Sequence, residues 1–352
     1  MEVLGNMPGV YILGARQRKL LLQDEDEPHL YESALICRLE PENGDWEVCL
    51  EYQSPPEARA SDDSSNVFKC GTLIGDKLYA CTATEVLILK LPSFERIGYI
   101  SLPCFNDVHH VTPSRDGNLL VVSTGLDMVV KVDLDGNILK EWTVLDETPW
   151  SRFSRNVDYR KVDSTKPHKS HPNFVFELGD DVWVTRFIQR DAVCLTTPGR
   201  RIEIGVQRPH DGLLFNGRLY FSTVDGRIAI VNSHTLQIER IIQLTAVESN
   251  ERTLLGWCRG LLPLDERRVW VGFTRVRKTR FKENILWVKH VLREGTAEKP
   301  THIALYDIVE QRCLQEIELE QHDFNIVFSI FEAVPQISRG RAGLNAEIGS
   351  LI

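Results

Sequence analysis

The 352-residue sequence predicts an all-β chain, a single six-bladed β-propeller closed by pairing its C-terminal strand with N-terminal strands. Three observations predict it. A hairpin unit, two apolar strands around a turn, recurs six times. A second pair of strands around a tight turn precedes five of the copies, making four strands per unit at a period of about 40–60 residues. The sixth unit is divided between the chain ends, and joining its parts removes the exposed edges an open array would keep.

The hairpins occupy 33–52, 85–102, 128–145, 191–206, 227–244 and 301–319, with Val, Ile and Leu alternating with polar residues. The preceding tight turns fall at Gly75-Asp76, Asp116-Gly117, Gly179-Asp180, Asn216-Gly217 and Asp265-Glu266. Residues 9–13 read as the second strand of a blade that lacks its first. Residues 326–334 read as a first strand that lacks its second. The expected boundaries are therefore a propeller over 1–335 and a tail over 336–352. Blade six is shared between 9–53 and 322–335, and blades one to five lie within 66–320.

The chain carries 41 Lys+Arg against 50 Asp+Glu, a net charge of −9, which argues against generic binding of nucleic-acid phosphates. No apolar run approaches the ~20 residues of a membrane-spanning helix, so no membrane association is expected. The first residues lack the basic and apolar segments of a secretion signal. The eight cysteines sit mostly in apolar runs with no CxxC pair, as expected for buried free thiols in the cytoplasm.

The stretch His109-His110-Val111-Thr112-Pro113-Ser114-Arg115-Asp116-Gly117-Asn118-Leu119-Leu120-Val121-Val122, followed by Val132-Asp133-Leu134-Asp135-Gly136, resembles a blade of the NHL, gluconolactonase and arylsulfotransferase-type propellers. The resemblance implies the fold over nearly the whole chain and no particular reaction.

The propeller pattern sorts the connections onto two faces. The long ones, 16–32, 54–66, 146–170, 246–257 and 277–300, all belong to one face and form a canopy, the expected functional side. Two canopy segments are basic. Arg152 and Arg155 stand in one, Arg277 and Lys278 in the other, and all four are candidate contacts for an anionic substrate, as is Arg208. The interleaved aromatics Trp150, Phe153 and Tyr159 suit either a substrate body or packing of the loop.

First strands of a propeller line its channel and start on the canopy side. Six of the ten histidines fall near those starts: His109, His110, His168, His171, His210 and His322. Neutral imidazoles converging on an axis suit Zn or Fe, so His110, His171, His210 and His322 are the candidate ligands. Asp107, Asp211 and Asp323 are candidate supporting carboxylates or further ligands. His109, Asp211 and Arg259 are the candidate catalytic groups. Such central metal sites are similar to those of peptidylamidoglycolate lyase-like and carotenoid oxygenase-like propellers. The arylsulfotransferase resemblance implies instead a metal-free histidine base or nucleophile, with Arg208 and Arg259 holding the anion. The expectation is an enzyme, a metal-dependent lyase, hydrolase or oxygenase, acting on a small anionic or aromatic substrate. The alternatives are a non-enzymatic module that binds an acidic partner, and a metal-free transferase or hydrolase.

Overall fold

The strands form six four-stranded antiparallel sheets. A computed structural model describes residues 7–19, 29–248, 253–276 and 297–334. From the axis outward, blade one is Thr72–Ile74, Lys77–Cys81, Val86–Lys90 and Glu95–Ile100. Blade two is Val108–Pro113, Leu119–Ser123, Met128–Val132 and Ile138–Thr143. Blade three is Pro172–Leu178, Asp181–Arg186, Asp191–Cys194 and Arg201–Glu203. Blade four is Leu213–Phe215, Arg218–Thr223, Arg227–Asn232 and Ile238–Gln243. Blade five is Trp257–Pro263, Arg268–Thr274, His302–Asp307 and Arg312–Glu318. A short parallel pair, Thr253–Leu254 with Ala297–Glu298, lies outside the blades.

Blade six takes Ile326–Glu332 as its inner strand, followed by Val10–Gln17, Tyr31–Glu40 and Asp45–Tyr52. The two ends pair antiparallel from Val10↔Glu332 to Ala15↔Ile326, with a register shift between Leu13 and Gly14. Gly14 is required there, because a Cβ would collide with the Ile326 carbonyl oxygen and the Phe324 ring. The predicted closure is therefore the observed one.

Middle strands are buried on both faces and read as continuous apolar runs. Leu119–Ser123 is buried throughout, whereas the outer strand Glu95–Ile100 is exposed at four of its six positions. The core is divided among the seams. Between blades one and two, Val86 and Ile88 meet Val111, Val121 and Val130. Comparable clusters fill the other five seams. All eight cysteines are free, six of them buried. Among the described residues, no helix is long and apolar enough to cross a membrane.

Candidate active site at the canopy-side mouth

Antiparallel alternation puts the described parts of the long connections, 18–19 with 29–30, 53–71, 144–171, 244–248 with 253–256, and 275–276 with 297–301, at one rim, where the sequence expects the canopy. The segments 53–71 and 144–171 are tied to each other and to the blades. Lys161 Nζ donates to the carbonyls of Pro56 (2.6 Å) and Arg59 (3.0 Å). Asn106 Nδ2 donates to the carbonyls of Tyr159 (2.8 Å) and Val162 (2.7 Å). Trp150, Phe153 and Tyr159 pack onto the seam between blades one and two, so these aromatics hold the loop down.

Four cations of the basic segment are paired with carboxylates. Arg152 pairs with Asp127 at 3.0 Å, and Arg155 is bidentate on Glu141 at 3.0 and 2.6 Å and stacks over Trp150. Arg160 pairs with Asp158, and Lys169 with Glu147. Arg152 and Arg155, the expected substrate contacts, are thus paired with carboxylates of blade two and of the loop itself. Arg277 and Lys278 lie outside the described residues.

Each blade sends one or two side chains to the mouth of the channel. Blade one contributes Lys69, 5% exposed, whose ammonium is paired with Asp107 of blade two. Burial raises the Asp107 carboxyl, but the neighbouring positive charge, Lys69 foremost, outweighs it and holds the group well below the usual carboxylate range. Blade two also contributes His109, inserted at a register shift between Val108 and His110. Blade three contributes His168 and His171, blade four Arg208 and His210, blade five Arg259, and blade six Phe328. Phe328 is the hub. Its ring centroid lies 6.3 Å from His109, 6.2 Å from His210 and 4.5 Å from the Arg259 guanidinium. Asp107, His171 and Arg208 adopt the left-handed backbone at φ 50°, 56° and 44°. That strain persists only where the surroundings over-determine it, as functional sites do.

The hydrogen bonds fix the tautomers. His109 Nδ1–H donates to the Asp107 carbonyl at 2.8 Å, which leaves the Nε2 lone pair without a partner among the described residues. Burial and the Lys69 charge keep this ring neutral far below the usual range. Thr165 spends its proton on the Gly125 carbonyl (2.6 Å) and Asn106 Oδ1 (3.2 Å), so its oxygen can only accept from His168 Nε2–H at 3.4 Å. His168 Nδ1 then accepts from His171 Nδ1–H at 2.9 Å. Burial lowers the pKa of both rings. The backbone carrying them is anchored by Asp127, whose buried carboxylate accepts from the amides of Lys169 (2.9 Å), Ser170 (3.0 Å) and His171 (2.8 Å).

The four predicted metal ligands do not come together. His110 follows the bulge and points between blades. It stacks on Phe174 at 3.6 Å, accepts from the Val175 amide at 3.2 Å and meets Thr72 Oγ1 at 3.3 Å. Both its nitrogens are occupied, and burial pushes its pKa down to about 3. His322 lies at the seam of blades five and six, stacked on Trp46 at 4.7 Å. His210 does reach the mouth, where its Nε2 is buried without a hydrogen bond. Its Nδ1 lies 3.6 Å from Asp211 and 4.0 Å from Cys70 Sγ. Asp211, expected to be catalytic, is spent on His210 and the Ser222 hydroxyl.

Among the described residues, three groups have ligand atoms within 4.8 Å of one another. Glu248, Cys313 and Glu316 fit a metal poorly, because Lys299 already bridges the two carboxylates. Cys70, His210 and Asp211 fit poorly too: the Cys70 thiol donates to the Phe328 carbonyl at 3.4 Å, and burial raises its pKa well above the usual range. Asp107, His168 and His171 fit best. The two Nδ1 atoms face each other, Thr165 orients His168, and Asp107 keeps one oxygen clear of Lys69. Two imidazoles and a carboxylate are a donor set of catalytic Zn and of non-haem Fe(II) centres. Of this group, His171 was expected as a ligand and Asp107 as a ligand or its support, whereas His168 was placed near the axis with no ligand role. Lys69 was legible as a lone charge inside the apolar run Val67-Phe68-Lys69-Cys70, whereas Asp127 and Phe328 carried no signal.

Solved structures share the architecture. A protein of unknown function from Bacteroides caccae is similar at a TM-score of 0.57 and 12% identity, over 92% of this chain and 98% of that one. A chain of the nidogen/laminin complex is similar at 0.52 and 9%, over 92% and 100%. Catalytically inactive virginiamycin B lyase from Staphylococcus aureus, bound to quinupristin, is similar at 0.42 and 16%, over 67% and 69%. No protein-family profile and no curated protein matches the sequence. At these identities the first two similarities show the fold, a six-bladed β-propeller, and nothing more specific.

Proposed function

We propose that this propeller is an enzyme acting on a small anionic substrate at the canopy-side mouth. A divalent metal, Zn or Fe, would be held by Asp107, His168 and His171. The observation that carries this reading is Arg259. Its guanidinium stands over Phe328 at the channel mouth and makes no salt bridge among the described residues, whereas Arg59, Lys69, Arg152, Arg155, Arg160, Lys169 and Arg275 on the same face are each paired with a carboxylate. A partly buried cation without a counter-ion is costly unless a ligand supplies the anion.

When bound, the metal supplies Lewis acidity to a substrate oxygen or to water. The remaining roles belong to the chain. Arg259 binds and orients the anionic group. His109 Nε2, unprotonated and without a partner among the described residues, accepts a hydrogen bond from the substrate or from water. Lys69 keeps Asp107 ionised, and Asp127 holds the backbone of 169–171 in place.

The test is titration of metal-stripped protein with Zn²⁺ and Co²⁺, followed by binding of small oxyanions. The expected result is one equivalent of metal, lost in His168→Ala and His171→Ala. Oxyanion binding should be lost in Arg259→Ala but kept in Arg155→Ala. Absence of metal uptake by the wild type would sink the metal centre.

A further inference from the structure

A cleft opens beside the axial mouth, between the canopy segments 54–67 and 158–168. Lys69, Asp107 and His168 line it, so two members of the candidate metal group border the cleft. Phe328 lines the cleft, and the Arg259 guanidinium lies 4.5 Å from the centroid of the same ring. One aromatic ring thus separates the anion-binding position from the cleft.

The cleft interior offers small neutral groups: Ala58, Ala60, Ala83, Val67 and Val162. The charges of Lys69, Arg59 and Arg160 along it are matched by Asp107, Asp62 and Asp158, and Lys166 and Asp163 add one charge of each sign. Arg59 keeps one buried donor, Nε, without a hydrogen bond. The cavity volume is about 90 Å³. Since a water needs about 10–15 Å³ of such space, this is room for roughly six to nine waters. That volume is too small for a peptide or a nucleoside and suits a group about the size of a phenyl ring.

We infer that the cleft is the subsite for the uncharged body of the substrate. The substrate class is then a compact organic oxyanion, a neutral ring or short chain whose charged end reaches Arg259. This rests on the anion site proposed above. Lys161, clamped on the carbonyls of Pro56 and Arg59, holds the two walls together across the cleft.

The test compares probe pairs by calorimetry on the full-length protein: inorganic phosphate with phenyl phosphate, and acetate with phenylacetate. In the pair that binds, the aromatic member should bind at least tenfold tighter. Ala60→Phe and Ser164→Phe, which fill the cleft from opposite walls, should each abolish that advantage while leaving the simple anion within twofold. Equal wild-type affinities within a binding pair would overturn the cleft assignment and leave the anion site standing. So would variants that weaken both members alike or neither. Failure of all four probes to bind would overturn the anion site, and the cleft assignment with it.

Discussion

Replacing Asp127 by Asn tests how the fold holds the candidate metal ligands. The side chain of Asp127 is completely buried, and it accepts from three successive backbone amides and from Arg152 Nη2 at 3.0 Å. Asparagine keeps the shape and can still accept from Ser170 and His171 through one oxygen. Its amide would then face the Lys169 N–H and Arg152, two donors left without an acceptor. A buried group left unsatisfied costs about 1–3 kcal/mol, more when charged, so the loss of folding stability should be about 3 kcal/mol. The same displacement reaches His168 and His171. Removing a group that orients ligands weakens metal binding by about 10–100-fold. Urea unfolding of the metal-free variant measures the first effect, and competitive Co²⁺ titration under native conditions measures the second. If stability falls while metal affinity is unchanged, Asp127 is an anchor of the loop alone and its proposed link to the site is wrong.

Two further outcomes follow from the folded state. His110 has a folded pKa of about 3, so between there and its unfolded value of about 6.5 the unfolded chain binds the extra proton. Stability should therefore fall as pH drops below about 6.5. Relative to His110→Gln, the wild type should lose about 2 kcal/mol more between about pH 6 and about pH 4.5 in urea melts; parallel pH profiles would refute the assignment. Gly14→Ala forces a Cβ into the Ile326 carbonyl at the closing seam, and should cost about 3 kcal/mol, read as a lower thermal midpoint. An unchanged midpoint would mean that the chain ends do not pair as described.

How much of the site the sequence revealed depends on the residue. Arg259, His109 and His171 were legible because each stands at the start of a first strand, where position along the chain fixes position at the axis. His110 and His210 share a register: His110 pairs with Val122, and His210 donates its amide to the Ser222 carbonyl at 2.9 Å. Yet the extra residue in blade two turns His110 away into the seam, and the bulge that does this leaves no mark in the composition. His322 was misplaced for a related reason: the turn at 320–322 ends on Asp323 in the left-handed conformation, and the histidine stacks on Trp46 before the inner strand begins.

The sequence alone determined the blade count, the split sixth blade, the face that carries the long connections and most of the residues near the axis. All of these follow from short-range periodicity, which repeats in every blade and is written in neighbouring residues. Only the tertiary structure decided which of those residues act together. The canopy cations looked free because charges were read along the chain, but Asp127, Glu141 and Glu147 meet them in space. Likewise, Asp107, His168 and His171 become one group because blade two and the 144–171 connection meet beside the axis. Side-chain convergence depends on strand bulges, left-handed residues and long-range hydrogen bonds, and these are settled only when the ring of blades closes.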